Sequence, residues 1–378
     1  MRRIVALIVA VSFLFTLPIG YVFADEEDVR AFILGDGSAF SVLSSKEGEK
    51  ALSIAGLSRL LTILIISEAF DNGEINPAAT IKISADAANI KGSTAFLKKD
   101  ESMSAENLFK AAVMISAGDA IYALTEVLVP DRNAFISRLK SRADALDVDF
   151  AIDDALSSGA LVSATAIYKV AIALVKSQSF LKFSGLYMDT LKHENAGDTE
   201  LVNPNKLVKT LPGCIGLATG SSIEALYCGV YAVRRGEMTV IVVIIGAKNA
   251  AEREKSAAKL AESAFTTYKK TLFYNPGDIV AENVEVSGGI IRKVNLIIKD
   301  EASVLVKKSE KVEAKVNFGE LIAPIATDIA IGNFTCVDET GATILTIPIY
   351  PDNDVEFCSF WDCIVRFAVQ FCGFIEFG

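Results

Sequence analysis

Two apolar, β-branched runs, Ala225 to Val233 and Met238 to Gly246, are separated only by Arg234-Arg235-Gly236-Glu237. A short polar break containing glycine between two such runs predicts a β-hairpin. The second run is apolar at nearly every position instead of every other one, so both of its faces have to be covered. It must therefore lie inside a sheet that has structure packed above and below it. The covering elements are readable. Ala250 to Lys270 mixes charged residues with Ala and Leu at helical spacing and predicts a surface helix on one face. Leu57 to Phe70 is apolar almost all round and stops at Asn72-Gly73, which predicts a buried central helix with a glycine stop.

Upstream, Val29 to Leu34 and Ala39 to Leu43 read as strands joined at Gly35-Asp36-Gly37, and Thr80 to Ser84 as another strand. Ser104, with Glu106 in the first turn, opens a helix that runs to Ile115. After Ser116-Ala117-Gly118 the helical pattern resumes from Asp119 to Leu128, and Asn133 to Leu146 and Thr165 to Lys176 add two more helices. Strands thus come from both ends of this region and helices from its middle, an α/β (α+β) domain over residues 25 to 274. Around Asn275-Pro276-Gly277 helical periodicity disappears. Short alternating stretches follow at Val284 to Val286, Lys293 to Ile298, Val304 to Lys307, Val312 to Val316, Ile329 to Gly332 and Ile344 to Pro348. They predict a small β sandwich or barrel over residues 275 to 352. A chain of 378 residues exceeds what one hydrophobic core usually absorbs, which agrees with two units.

The ends differ from the middle. Residues 1 to 24 carry Arg2 and Arg3, an apolar run from Ile4 to Leu17, and Val22, Phe23 and Ala24 before the acidic Asp25-Glu26-Glu27, the pattern of a secretory signal peptide. The expected location is the extracytoplasmic face of the cell membrane. In the last segment, residues 353 to 378, Ser359, Asp362, Arg366 and Gln370 recur every three or four positions. They draw a narrow polar stripe on a helix, Val355 to Phe377, whose wide aromatic face suits a membrane interface. These two segments account for much of the mean hydropathy of +0.39.

Charge and rare residues narrow the chemistry. A net charge of −10 disfavours neutralisation of a phosphate backbone, so nucleic acid is not an expected partner. The single histidine, His193, excludes a poly-histidine metal cage, and no metal or cofactor is expected. His193 lies in the polar loop Lys192-His193-Glu194-Asn195 with no nucleophile near it in sequence, so no replacement triad is expected around it. The six cysteines, Cys214, Cys228, Cys336, Cys358, Cys363 and Cys372, lack C-x-x-C spacing and read as small apolar fillers.

Three short strings remain: Ala55-Gly56-Leu57-Ser58-Arg59-Leu60-Leu61-Thr62 at a helix start, Ser116-Ala117-Gly118-Asp119-Ala120 between two helices, and Leu217-Ala218-Thr219-Gly220 on a strand. They resemble, in order, the A-S-x-T-K-I-M-T, S-G-N-D-A and x-K-T-G motifs of the penicillin-binding D-alanyl-D-alanine carboxypeptidases of the serine S-x-x-K class. Asn203-Pro204-Asn205-Lys206-Leu207 is similar to that family's N-x-N-x-L run, and Gly246-Ala247 with Arg253 follow the long strand. The resemblance spans nearly the whole mature chain and implies a serine β-lactamase/penicillin-binding-protein-like domain, a small all-β domain and an amphipathic tail.

The resemblance also implies where chemistry has been lost. The family needs a serine at the helix start, a lysine one turn on to move its proton, and a second cation on the facing strand. The serine position is Gly56, without an Oγ. The lysine position is Arg59, whose guanidinium stays protonated near neutral pH and cannot act as a base. The strand lysine is Ala218, and the asparagine of the middle motif is Gly118; Ser116, Thr219 and Gly220 are kept. The backbone N–H groups of Gly56 and Ser221 resemble the oxyanion-hole positions and need no side chain. Ser58 stands about 200° round the helix from Gly56, on the wrong face. The S-x-x-K strings Ser179 to Lys182 and Ser256 to Lys259 fall on peripheral helices and read as solvated surface.

The expected function is therefore that of a catalytically inactive carboxypeptidase homologue. It would bind peptidoglycan stem peptides or a cell-wall synthesis protein through Gly56, Ser116, Thr219, Gly220 and Ser221. The competing expectations are an active D-alanyl-D-alanine carboxypeptidase with non-standard residues, and a structural spacer at the membrane surface.

Overall fold

The computed structural model describes residues 29–150, 152, 156, 161–194, 197–362 and 364. The expected signal peptide and the end of the expected tail helix lie outside the described residues.

Strand β1 (Ala31–Asp36) turns back into β2 (Val42–Lys46). The turn is held by Asp36 Oδ1, which accepts from the Ser38 amide at 2.8 Å and the Ser38 hydroxyl at 2.6 Å. The expected central helix starts as a 3-10 turn over Ala55–Arg59 and continues as α1 (Leu60–Asp71). Every residue from Leu60 to Ser67 is buried, as an all-round apolar helix requires. Its one interior hydroxyl in that run besides Thr62, Ser67 Oγ, donates to Ile63 O at 2.6 Å.

Helix α2 (Ala105–Ile115) begins where expected, with Ser104 Oγ accepting from the Asn107 amide at 3.3 Å. It ends at Ser116, which is left-handed with φ 51°. Helices α3 (Gly118–Leu128), α4 (Arg132–Ala145), α5 (Ala164–Leu174) and α6 (Gln178–Ser184) follow. A hairpin of β3 (Met188–Leu191) and β4 (Thr199–Val202) then leads to β5 (Cys214–Ser222), β6 (Leu226–Arg235), β7 (Met238–Ala247) and helix α7 (Ala250–Thr267).

The main sheet is antiparallel in the order β2-β1-β7-β6-β5. The hairpin that most constrained the sequence is β6–β7, and β7 is the central strand. Its residues divide between the two faces. Val240, Val242 and Ile244 pack with Ala257, Leu260, Ala261 and Ala264 of α7, while Ile241, Val243 and Ile245 join the core built around α1 and α5. Each such aliphatic side chain, fully buried, contributes about 1.5–3 kcal/mol of transfer free energy, which is why the strand carries apolar residues at both parities.

The second unit begins earlier than the sequence indicates. Tyr268 to Lys270, expected to close the surface helix, opens strand β8 (Tyr268–Tyr274) instead. Strands β9 (Ile279–Ser287), β10 (Lys293–Ile298), β11 (Ala302–Lys307), β12 (Glu313–Phe318), β13 (Leu321–Ile322), β14 (Gly332–Val337) and β15 (Thr343–Pro351) complete it. β8 pairs with β11, and the others form a sheet in the order β12-β14-β15-β10-β9-β13. The expected strand at Ile329 to Gly332 is displaced: the ladder starts only at Gly332, and Ile329 is exposed. Leu296, Ile298, Phe334 and Ile349 are fully buried at the centre of this unit.

The tail starts later than expected. Val355 belongs to the β core, buried and bonded through its amide to Ile325 O at 2.9 Å. The helix begins after Ser359, whose amide and hydroxyl both donate to Asp362 Oδ2, at 2.9 and 2.5 Å, while the Asp362 amide donates back to Ser359 Oγ at 3.3 Å. This reciprocal cap is the one that a serine followed three residues later by an acid makes possible.

Candidate functional site

Three segments far apart in sequence meet at the exposed edge of β5. The first is the 3-10 turn at the head of α1. Ala55, in the left-handed region at φ 51°, aims the chain so that Gly56 faces outward. A Cβ on Gly56 would meet no atom within 4 Å, so the position looks into open space.

The second wall is β5 itself. A Cβ on Gly220 would lie 2.8 Å from Gly56 N and 3.3 Å from Gly56 Cα. Only glycine lets strand and turn approach this closely, because the atoms in the way are backbone and cannot swing aside. Thr219 and Gly220 are half-buried here and Ser221 is exposed, in register with Gly229, Cys228 and Tyr227 of β6. Ala218 is buried, and its methyl packs with the hydrophobic core.

The junction of α2 and α3 makes the third wall. Arg59 reaches across to it, its Nη1 donating to Ser116 O at 2.5 Å. A Cβ on Gly118 would stand 3.4 Å from both Arg59 Nη atoms and 2.8 Å from Ile90 Cγ2. The guanidinium thus lies in van der Waals contact with the place a side chain at 118 would start from, and Ile90 stands closer still. The positions expected from sequence, Gly56, Arg59, Ser116, Gly118, Thr219, Gly220 and Ser221, are thus brought together.

The other serines that the sequence offers do not join them. Ser58 is buried, its Oγ 3.2 Å from Ala55 O and 3.3 Å from Leu156 O, directed into the domain as the helical angle predicted. Ser179 and Lys182 lie at α6, where Lys182 pairs with Glu106, and Ser256 and Lys259 lie on α7. The thiols of Cys214 and Cys228, on β5 and β6, are buried and free, and burial pushes both above the ordinary thiol range, away from the thiolate.

Asp119 and Asn203, members of the motif strings to which the sequence assigns no role, hold these walls. Asp119 is buried, and its carboxylate accepts from the amides of Ala95 (2.9 and 3.0 Å to its two oxygens), Leu97 (3.1 Å) and Ala120 (2.8 Å). It thereby anchors the loop whose Ser93 O accepts from the Gly118 amide at 2.8 Å. Asn203 Nδ2 donates to Ser184 O and Leu186 O, and its Oδ1 receives the Asn205 amide at 2.9 Å. His193, expected in a polar loop with no nucleophile near it in sequence, is enclosed and bonded on both ring nitrogens. Its Nδ1 is 2.6 Å from Glu101 Oε1 and its Nε2 3.0 Å from Thr199 Oγ1. Among the described residues, no cluster of acids, cysteines and histidine could hold a metal ion.

This geometry can be set beside known proteins. Residues 22–249 match the family described as D-alanyl-D-alanine carboxypeptidase, and residues 268–357 match the C-terminal domain of penicillin-binding protein 5. The D-alanyl-D-alanine carboxypeptidase DacF of Bacillus subtilis is 28% identical over 342 residues, covering 88% of this chain and 87% of the relative. DacC of Escherichia coli is 23% identical over 372 residues, covering 93% and 91%. Among solved structures, penicillin-binding protein 5 of Haemophilus influenzae superimposes with a TM-score of 0.76 at 19% identity, over 87% of this chain and 98% of that one. A peptidoglycan synthesis regulatory factor (PBP3) of Streptococcus pneumoniae gives 0.67 at 18%, over 87% and 99%. The fold, the three converging segments and the family match agree: the chain belongs to the penicillin-binding D-alanyl-D-alanine carboxypeptidase family.

Proposed function

We propose that this chain is a non-catalytic member of its family, exported to the outer face of the cell membrane, whose cleft binds peptidoglycan stem peptides without cleaving them. The observation that carries the reading is Gly56. Acyl transfer in this family requires a bond from a serine Oγ to the peptide carbonyl, and position 56 offers a hydrogen facing open space. Arg59 adds to it, since its guanidinium does not give up a proton near neutrality and is engaged with the Ser116 carbonyl.

What is kept favours binding over loss of the cleft altogether. Ala55 retains a left-handed backbone that costs of order 1–3 kcal/mol and persists only where its surroundings enforce it. Gly220 keeps the narrow approach of β5 to Gly56. The Thr219 hydroxyl would receive the peptide carboxylate, and the Gly56 and Ser221 N–H groups its carbonyl.

A stem pentapeptide is expected to raise the melting temperature of the natural chain. At a hundred times its Kd the stabilisation is about 2.7 kcal/mol. Thr219→Val should remove the shift. An unchanged melting temperature in the natural chain at millimolar peptide would leave the spacer reading in its place.

Attachment to the membrane rests on the start of the tail. Phe357, Ile364 and especially Phe360 and Trp361, at 75% and 72%, are exposed beside the reciprocal cap, and an aromatic face of this kind suits a lipid interface. No helix among the described residues is long and apolar enough to cross a membrane. Truncation after Cys358, which spares Val355 in the β core, should abolish co-sedimentation with lipid vesicles; retained binding would transfer the role to another segment.

A further inference from the structure

Thr199, His193 and Glu101 form a continuous hydrogen-bonded chain, with 3.0 Å from Thr199 Oγ1 to His193 Nε2 and 2.6 Å from His193 Nδ1 to Glu101 Oε1. The second carboxylate oxygen is fixed too, accepting from the Lys98 amide at 3.0 Å. The side chains of His193 and Glu101 are only 2% and 7% exposed, so neither partner is exchanged for water. A carboxylate can only accept, which places the neutral imidazole's proton on Nδ1 and leaves the Nε2 lone pair for the Thr199 hydroxyl. The order is hydroxyl, base, orienting acid, the arrangement that activates a hydroxyl nucleophile.

Thr199 opens β4 and is half-buried, the residues just before it, Gly197 and Asp198, are exposed, and a Cβ on Gly197 would meet nothing within 4 Å.

We infer that Thr199 is an acylation site, a reactive hydroxyl that takes short acyl groups from activated esters. Oγ1 attacks the ester carbonyl carbon as His193 Nε2 accepts the hydroxyl proton, and Glu101 stabilises the imidazolium that forms. The bond from the carbonyl carbon to the leaving oxygen then breaks, and His193 returns the proton to that oxygen. The products are an ester on Thr199 and a free alcohol. Half-burial of Thr199 restricts the acyl group to a short one. The site is independent of Gly56, and its reactivity does not depend on what the cleft binds.

The test treats the full chain with p-nitrophenyl acetate and maps acetylated residues by peptide mass spectrometry over time. An acetyl group on Thr199 is expected, absent in Thr199→Val and restored in Thr199→Ser. In His193→Gln the rate of labelling at Thr199 should fall about a hundredfold, the usual scale of general-base assistance. Thr199→Val removes only a half-buried hydroxyl, so the first comparison holds even if His193→Gln is poorly folded. Labelling confined to lysines, or labelling of Thr199 at an unchanged rate in folded His193→Gln, would overturn the assignment.

Discussion

A fluorescent penicillin will leave no adduct on residues 55–59, 116–118 or 218–221 of the natural chain. It will acylate position 56 once Gly56→Ser, Arg59→Lys, Gly118→Asn and Ala218→Lys are combined. The expectation follows from what each atom does. Without an Oγ at 56 there is nothing to open the lactam, and deletion of a serine nucleophile costs roughly 10⁶-fold in comparable hydroxyl chemistry. The space for the returned hydroxyl exists, since no atom lies within 4 Å of where the Gly56 Cβ would be. Arg59→Lys supplies an amine that can move a proton, and Ala218→Lys restores the strand cation. Intact mass and peptide mapping read the result. A penicilloyl group on any cleft residue of the natural chain would refute the non-catalytic reading, whereas an adduct at Thr199 alone would bear on the acylation site and leave the cleft reading standing.

The second large effect is a coupling between two of those positions. Gly118→Asn alone has to place a Cβ 2.8 Å from Ile90 Cγ2 and 3.4 Å from both Arg59 Nη atoms, with an amide still to accommodate. Overpacking of this kind costs about 1–3 kcal/mol. Arg59→Lys alone loses the donation to Ser116 O, about 1.5–3 kcal/mol for a charged donor. Together the two should cost less than their sum by 0.5 kcal/mol or more, because the shorter lysine vacates the space that the asparagine enters, as residues in contact generally couple by about 0.5–3 kcal/mol. Urea unfolding of the four members of the cycle measures this. Additivity within about 0.5 kcal/mol would show that the guanidinium does not occupy the Gly118 space.

The same pair shows how legible the site was. Each substitution is visible in the sequence as a departure from a motif, and the three motif strings are recognisable by residue type alone. That Arg59 and Gly118 meet is not visible, because 59 positions separate them and only the fold brings the guanidinium over the glycine. Asp119 was passed over for a similar reason. An acidic residue at a helix start is ordinary, and the amides it accepts come from Ala95 and Leu97 of a distant loop and from Ala120 of its own helix. His193 misled most, for its loop is polar and its acid partner is 92 residues away.

By itself the sequence determined the elements whose periodicity is strong and local: the buried hairpin β6–β7, the all-round apolar helix α1, the capped helix α2, and the change to short strands after α7. It also determined that Gly56 carries no nucleophile and Arg59 no base, because those are properties of residue type. Tertiary structure alone decided that Tyr268–Tyr274 is a strand, that Val355 belongs to the β core, and that Thr199, His193 and Glu101 meet. In the first case Lys269 and Lys270 fit a helical surface as well as a strand edge, and pairing with Ala302–Lys307 settles which forms. Periodicity reports how a segment meets an average interior, whereas these outcomes depend on which distant segment supplies the hydrogen bonds and the apolar contact.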